Sequence, residues 1–436
     1  MRSETNQTCP VSAESVVLGQ GCAGDTAVAR AETSRHIGNS DILNGRRAAL
    51  LTGGQDPHYA YGLATALVAA GVSVDVIGGG LVDGPEMRSA RGIRFLELYG
   101  GKERARTDVK AWRVAASYGR IMRYAAATDT EILHILWNNR IELFDRTLLM
   151  SYYKRLGKKI VLTVHNVNAG RRDEKDSWLN RLTLGRQYRI ADHIFVHTEK
   201  MKNELQDQFR VRERAITTIP YGLNNAVPDT DLTSADARKQ LGIRDDEKVI
   251  LFFGAIKPYK GLEYLVAAFQ RLATIRGSYR LIVAGERKKG YEEYFDSIRA
   301  TMDRDPSSAD IIQRIEFIPD EATELYFKAA DVAALPYTEI FQSGILFLAL
   351  SFGLPVIATD VGSFRDDVIE GETGFVCKAC DAEDLAASLR RYFESDLFRR
   401  LPEKRAQIRQ CMHSQHSWDT VGSITRNVYL ELTGDR

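Results

Sequence analysis

The chain has 436 residues, 44% of them hydrophobic and 27% charged, an ordinary globular composition in a length that calls for two domains. Its 59 Lys and Arg against 58 Asp and Glu leave a formal net charge of +1, which excludes a general nucleic-acid or polyanion binder and confines any basic surface to a local patch. Five cysteines, an odd and sparse set, exclude a disulfide framework, and Cys377-Lys-Ala-Cys380, with no second pair of that spacing, reads as a loop that happens to carry thiols rather than a zinc site.

Residues 1 to 45 are small, polar and aperiodic and are expected to form a disordered leader. They build no apolar signal-peptide core, and no run reaches the roughly 18 apolar residues that span a bilayer, so a cytoplasmic location is expected. From residue 46 short apolar runs alternate with amphipathic stretches. Strands are expected at Ala48–Thr52, Val72–Ile77, Ile93–Leu96, Ile132–Trp137, Ile160–Val164 and His193–Val196, with a helix through Tyr61–Leu67. Continuous apolar strands separated by helices point to a parallel sheet covered on both faces. The pattern breaks at Ile219-Pro220-Tyr221-Gly222 and stays polar to about Ser234, the best place for a linker. It then restarts with strands expected at Val249–Phe253, Leu281–Ala284, Ile315–Ile318, Val332–Leu335 and Val356–Ala358. Two doubly wound units, 46–222 and 223–410, follow from this spacing, leaving a cleft between the carboxyl ends of two facing sheets.

The second unit carries Gly254-Ala255-Ile256-Lys257-Pro258-Tyr259-Lys260-Gly261-Leu262, then Gln342-Ser343-Gly344 through Gly353-Leu354-Pro355-Val356, and Gly371-Glu372-Thr373-Gly374-Phe375. In this order and spacing they resemble the donor-binding half of family-four glycosyltransferases of the GT-B fold. The likeness is strong over about 215–435 and looser over 48–214. Ser417-Trp418 is similar to the start of the last helix of that family, so residues 411–436 are expected to cross back onto the first domain. The resemblance implies a glycosyltransferase that takes a hexose from a GDP- or UDP-sugar and passes it, with retention, to a glycan or polyprenyl-linked acceptor.

A nucleotide-sugar donor has a diphosphate leaving group whose negative charge grows as the glycosidic bond breaks, so the site must aim fixed positive charge or backbone N–H groups at those oxygens. Lys260 is the expected cation, and Lys257 is the nearest group to replace the arginine that the family usually has where this chain has Ala255. Ser343-Gly344 opens an apolar helix whose N-terminus suits phosphate, with Ser343 placed to cap it and Gly344 to allow close approach. The family's two glutamates are replaced by Ile340 and Leu348. Glu339 and Gln342 are the groups left for the donor sugar or ribose. His165, at the end of a first-domain strand, matches the family histidine that contacts the transferred sugar. Gly53 and Gly54 follow the first strand, where a glycine backbone meets the diphosphate in related enzymes, and Asp56 and His58 in the same loop are placed to face the acceptor.

No Asp-x-Asp pair stands where a divalent ion would bridge a diphosphate, so no metal and no cofactor is expected. Residues 102 to 123 hold Lys102, Arg104, Arg106, Lys110, Arg113, Arg120 and Arg123 among Trp112, Tyr118, Ile121 and Met122. Such a basic amphipathic stretch suits either an anionic membrane or a solvated helix packing its apolar side. A GT-B-fold epimerase or phosphorylase and a non-catalytic nucleotide-binding homologue remain as alternatives. A nicotinamide dehydrogenase is disfavoured, because no G-x-G-x-x-G opens either unit.

Overall fold

The computed structural model describes residues 47–80, 82–99, 107–172, 176–223, 227–273 and 278–434, so the expected leader and the first part of the basic 102–123 stretch lie outside the described residues. The first domain is built on β1 (Arg47–Leu51), β2 (Ser73–Gly78), β3 (Ile93–Glu97), β4 (Ile132–Ile135), β5 (Lys159–Thr163), β6 (His193–Val196) and β7 (Ile216–Thr218). All pair in parallel in the order β3-β2-β1-β4-β5-β6-β7. The second is built on β8 (Lys248–Phe253), β9 (Tyr279–Ala284), β10 (Ile311–Arg314), β11 (Val332–Leu335), β12 (Val356–Thr359) and β13 (Gly374–Cys377), parallel in the order β10-β9-β8-β11-β12-β13. Both are the doubly wound sheets expected from the alternating pattern. The central strands β1, β4, β8 and β11 are buried on both faces, which is why they read as unbroken apolar runs.

Two expectations about strands are corrected. The strand expected over Ile315–Ile318 lies directly before it, at Ile311–Arg314. A short 3-10 turn, Pro306–Asp310, delivers the chain to the edge of β9, and the Arg314 carbonyl accepts from Gly285 N just as β9 leaves the sheet. Residues 315–318 lie outside any strand, and Phe317 stands 70% exposed. β4 stops at Ile135, so Trp137 and Asn138 belong to the loop at its carboxyl end.

In each sheet the strand order reverses beside the first strand, between β1 and β4 and between β8 and β11. Ligands of open α/β sheets bind at the carboxyl ends of strands flanking such a switch. The helix Trp418–Thr433 packs on the first-domain helix Pro57–Ala69, with Val421, Val428 and Tyr429 joining the core on that face of the first sheet. At its start, Trp418 lies where a Cβ on Gly62 or Gly222 would collide with its ring, and its Nε1 donates to the Leu223 carbonyl at 2.7 Å. The linker is thus held by one indole that two glycines make room for.

Candidate functional site

At the β8/β11 switch the chain leaves Phe253, crosses Gly254 and Lys257, and makes the 3-10 turn Pro258–Lys260. Gly261 follows at φ 65°, where a Cβ would collide with the Pro336 carbonyl, so only glycine lets the two strand-end loops touch. That contact sets Lys260 beside Tyr337. Lys260 is 7% exposed, its Nζ donates to the Tyr337 hydroxyl, and it lies 4.1 Å from that ring's centroid and 5.7 Å from Tyr259's. Burial pushes the Tyr337 hydroxyl well above its usual pKa, so it stays protonated. Ser343 Oγ donates to the same hydroxyl at 3.4 Å. The expected capping bond from Ser343 does not form: its side chain is turned to Tyr337 instead, at the head of the helix Gly344–Ser351.

Lys260, Tyr259 and Ser343 line a cavity of about 370 Å³ that both domains share, with Tyr337 behind the wall. Lys260, Gln342, Ser343 and Gly344 come from the second domain, and Asp56, His58 and Tyr59 from the first. Gln342 Oε1 is buried with no hydrogen-bond partner. Leu348, at the position of the family's second glutamate, is on the wall.

A second cavity, about 380 Å³, sits at the β1/β4 switch and is lined by Gln55, Trp137, Asn138, His165, Asn166 and Gln187 among others. Here His165 follows β5 and His197 follows β6. His197 Nδ1 faces the Ile219 carbonyl at 3.3 Å and can only donate to it, which leaves Nε2 as an acceptor for His165 Nδ1 at 3.1 Å. The relay fixes the His165 tautomer with an unprotonated Nε2, which is buried and has no partner in the protein. The ring is stacked on Trp137 at 4.3 Å and meets Tyr59 edge-on at 4.6 Å. Burial, with the neighbouring His197, holds its pKa well below the ordinary histidine value. Asn166 Oδ1 is likewise buried without a partner.

The expected site residues therefore fall into three groups. Lys260, Gln342, Ser343, Gly344, Asp56 and His58 share the first cavity, and His165 lines the second, with Tyr59 between them. Lys257, partly buried with Nζ 5.8 Å from the Tyr259 ring centroid, and Gly54, at φ 72° in the turn after β1, lie beside rather than on these walls. Glu339 is exposed and outside the cavity, whereas its neighbour Ile340 lines it. Asp56 caps the helix Pro57–Ala69 by accepting from Tyr59 N at 3.0 Å, and His58 Nε2 lies 3.3 Å from Asp320 Oδ2 of the second domain. Tyr337, Tyr59, His197 and Gln187 were not singled out by the sequence. Tyr337 and His197 each stand one or two residues past a buried strand, the same signal that picks out His165. Among the described residues no three His, Cys, Asp or Glu side chains group as a metal site; Cys377 is buried and Cys380 exposed.

Residues 57–226 match the family model described as Glycosyltransferase Family 4, and residues 233–410 that described as Glycosyl transferases group 1. The chain is 23% identical over 391 residues to the uncharacterized glycosyltransferase MJ1607 of Methanocaldococcus jannaschii, a match spanning 86% of this chain and 94% of that protein. With the D-inositol 3-phosphate glycosyltransferase of Corynebacterium aurimucosum it shares 26% over 273 residues, 62% of this chain and 63% of that one. Among solved structures, sucrose-phosphate synthase from Thermosynechococcus elongatus superposes with a TM-score of 0.73 at 20% identity, over 90% of this chain and all of that one. Anabaena HepE in complex with UDP superposes with a TM-score of 0.69 at 14% identity, over 89% of this chain and all of that one.

Proposed function

We propose that this chain, a Family 4 and a group 1 glycosyltransferase domain joined in the GT-B fold, moves a hexosyl group from a UDP- or GDP-sugar to a glycan or lipid-linked acceptor. The observation that carries this reading is the convergence of Lys260, Ser343 and the amino end of the helix Gly344–Ser351 on a cavity shared by both domains. A buried ammonium and outward N–H groups supply positive potential where a leaving diphosphate gathers charge, and burial makes that potential worth more than in water. Tyr337 holds the ammonium in place, so little reorganisation is needed as the bond breaks.

On this reading Gln342, with its unpartnered Oε1, meets a hydroxyl of the donor sugar or ribose, the role left open by Ile340 and Leu348. His165 Nε2 is an acceptor for a hydroxyl of the transferred sugar, and the second cavity receives the acceptor. Structural neighbours described in complex with UDP and with UDP-glucose support a nucleotide-sugar donor. Retention of anomeric configuration rests on the family resemblance, as does the hexose.

The test is slow hydrolysis of UDP- and GDP-sugars without acceptor, with thermal shift against the matching nucleoside diphosphates. Release of nucleoside diphosphate with an upward shift is expected, and it should persist in excess chelator. A shift without release would leave the non-catalytic nucleotide-binding reading, and neither shift nor release with any nucleotide would refute the donor site; activity lost to chelator and restored by magnesium would refute metal independence.

A further inference from the structure

Eight of the eleven exposed large hydrophobic side chains among the described residues fall between 112 and 182. Trp178, Leu179 and Leu182 lie on the helix Trp178–Ile190. Ile141, Leu143 and Leu148 lie on and beside the helical run Glu142–Phe144, Asp145–Leu149 and Met150–Arg155. These two elements run side by side: Arg146 donates to Asn180 Oδ1 at 2.8 Å and Arg186 to Ser151 Oγ at 3.1 Å. The helix Thr107–Ala127 joins them through Tyr118, which donates to Asp145 Oδ2 at 3.1 Å, and through the Met122 carbonyl, which accepts from Tyr152.

All three bury their inner sides in one core cluster on a single face of the first sheet, so their exposed sides point the same way. The two tryptophans that are about three-quarters exposed, Trp112 at 74% and Trp178 at 75%, both stand on this outer surface. The segment is also where the chain concentrates positive charge. Residues 111–190 hold fifteen Lys or Arg against seven Asp or Glu, although the whole chain is balanced to within one charge. Arg181 and Arg186 are interleaved with Trp178 and Leu182 on one helix.

We infer that this three-helix face docks on an anionic lipid bilayer. Exposed apolar area this concentrated marks a contact surface, tryptophan suits the interface between headgroups and acyl chains, and the basic excess selects an anionic surface over a neutral one. The face adjoins the second cavity, whose wall takes Glu142, Arg146, Leu184 and Gln187 from the same helices. Docking there brings that cavity's mouth to the membrane surface. The inference stands independently of the donor assignment, because vesicle binding requires no turnover.

The probe is the full chain with vesicles of phosphatidylcholine alone or in equal parts with phosphatidylglycerol. The chain should sediment with the anionic vesicles, release as salt rises, and shift its tryptophan emission to the blue on binding. A Trp178→Glu, Leu182→Glu double variant should partition roughly tenfold less or weaker still. Phe317→Glu, exposed on the second domain, should bind as the parent does. The altered side chains are solvent-exposed, so melting temperatures should stay close to the parent's. No sedimentation with anionic vesicles, equal sedimentation with neutral ones, or a double variant that binds undiminished would overturn the inference. So would concentration-dependent self-association without vesicles that the double variant abolishes, since the face would then belong to a second copy of the chain.

Discussion

His165 Nδ1 lies 3.1 Å from His197 Nε2, and the Ile219 carbonyl beyond His197 sets the direction of both protons. His165 is therefore held neutral with its Nε2 lone pair outward. Replacing His197 with Ala would free that tautomer without touching the cavity wall. A fall in turnover of about tenfold, with KM for the donor little changed, is expected of a positioning residue. His165→Ala should cost more, on the order of a hundredfold. Steady-state kinetics of the two variants check this, and a His197→Ala enzyme with parental turnover would refute the relay.

The histidines divide in their response to pH. His58 gains its bond to Asp320, which raises its pKa above the ordinary histidine value against an opposing effect of burial. Its contribution to stability is fully present below that value and is lost as pH rises through the raised one. The pair is partly exposed, so the effect should be small, about 0.5 kcal/mol. His134, His165 and His197 are lowered by burial, His134 to about 3 and His197 to about 4, so they stay neutral while the unfolded chain takes up protons. Melting temperature should therefore fall as pH drops below about 6.5. His58→Gln should lower it further at acid pH than at alkaline pH. A pH-independent effect of that variant would show that the Asp320 contact contributes nothing.

Gly222 and Gly62 leave room for the Trp418 ring. Gly222→Ala should destabilise the chain by about 1–3 kcal/mol, because the added methyl would run into the Trp418 indole, which is itself packed and hydrogen-bonded to Leu223. Denaturant unfolding measures it; a change within a few tenths of a kcal/mol would mean that the linker gives way freely.

Much of this architecture was legible because parallel strands buried on both faces write themselves as apolar runs. What failed was local. Ile315-Glu316-Phe317-Ile318 has the alternation of a strand, yet β9 has already left the sheet there, and pairing rather than pattern decides. β7 and β13 were missed because Ile216–Thr218 and Gly374–Cys377 are edge strands of only three and four residues, too short to show a period. In the site, Lys260, Ser343 and Gly344 could be named from position and the family resemblance, but the partner that Lys260 and Ser343 share could not. Tyr337 looks like any core aromatic until the collision avoided at Gly261 brings the two loops together. Ser343 was expected to cap its helix, and only the position of Tyr337 shows why its hydroxyl turns away.

The most direct measurement is calorimetric titration of the parent and Lys260→Ala with UDP, GDP and the corresponding nucleosides, joined to donor kinetics and a melting curve. If Lys260 meets the diphosphate, the variant should lose on the order of 3 kcal/mol of transition-state stabilisation, roughly a hundredfold in turnover. Nucleoside diphosphate should bind more weakly, while nucleoside alone binds as before. Lys257→Ala should show the same pattern in smaller measure if that side chain serves for the arginine absent at Ala255, and otherwise stay within a few tenths of a kcal/mol. A folded Lys260→Ala protein with undiminished turnover and unchanged diphosphate affinity would contradict the placement of the donor site.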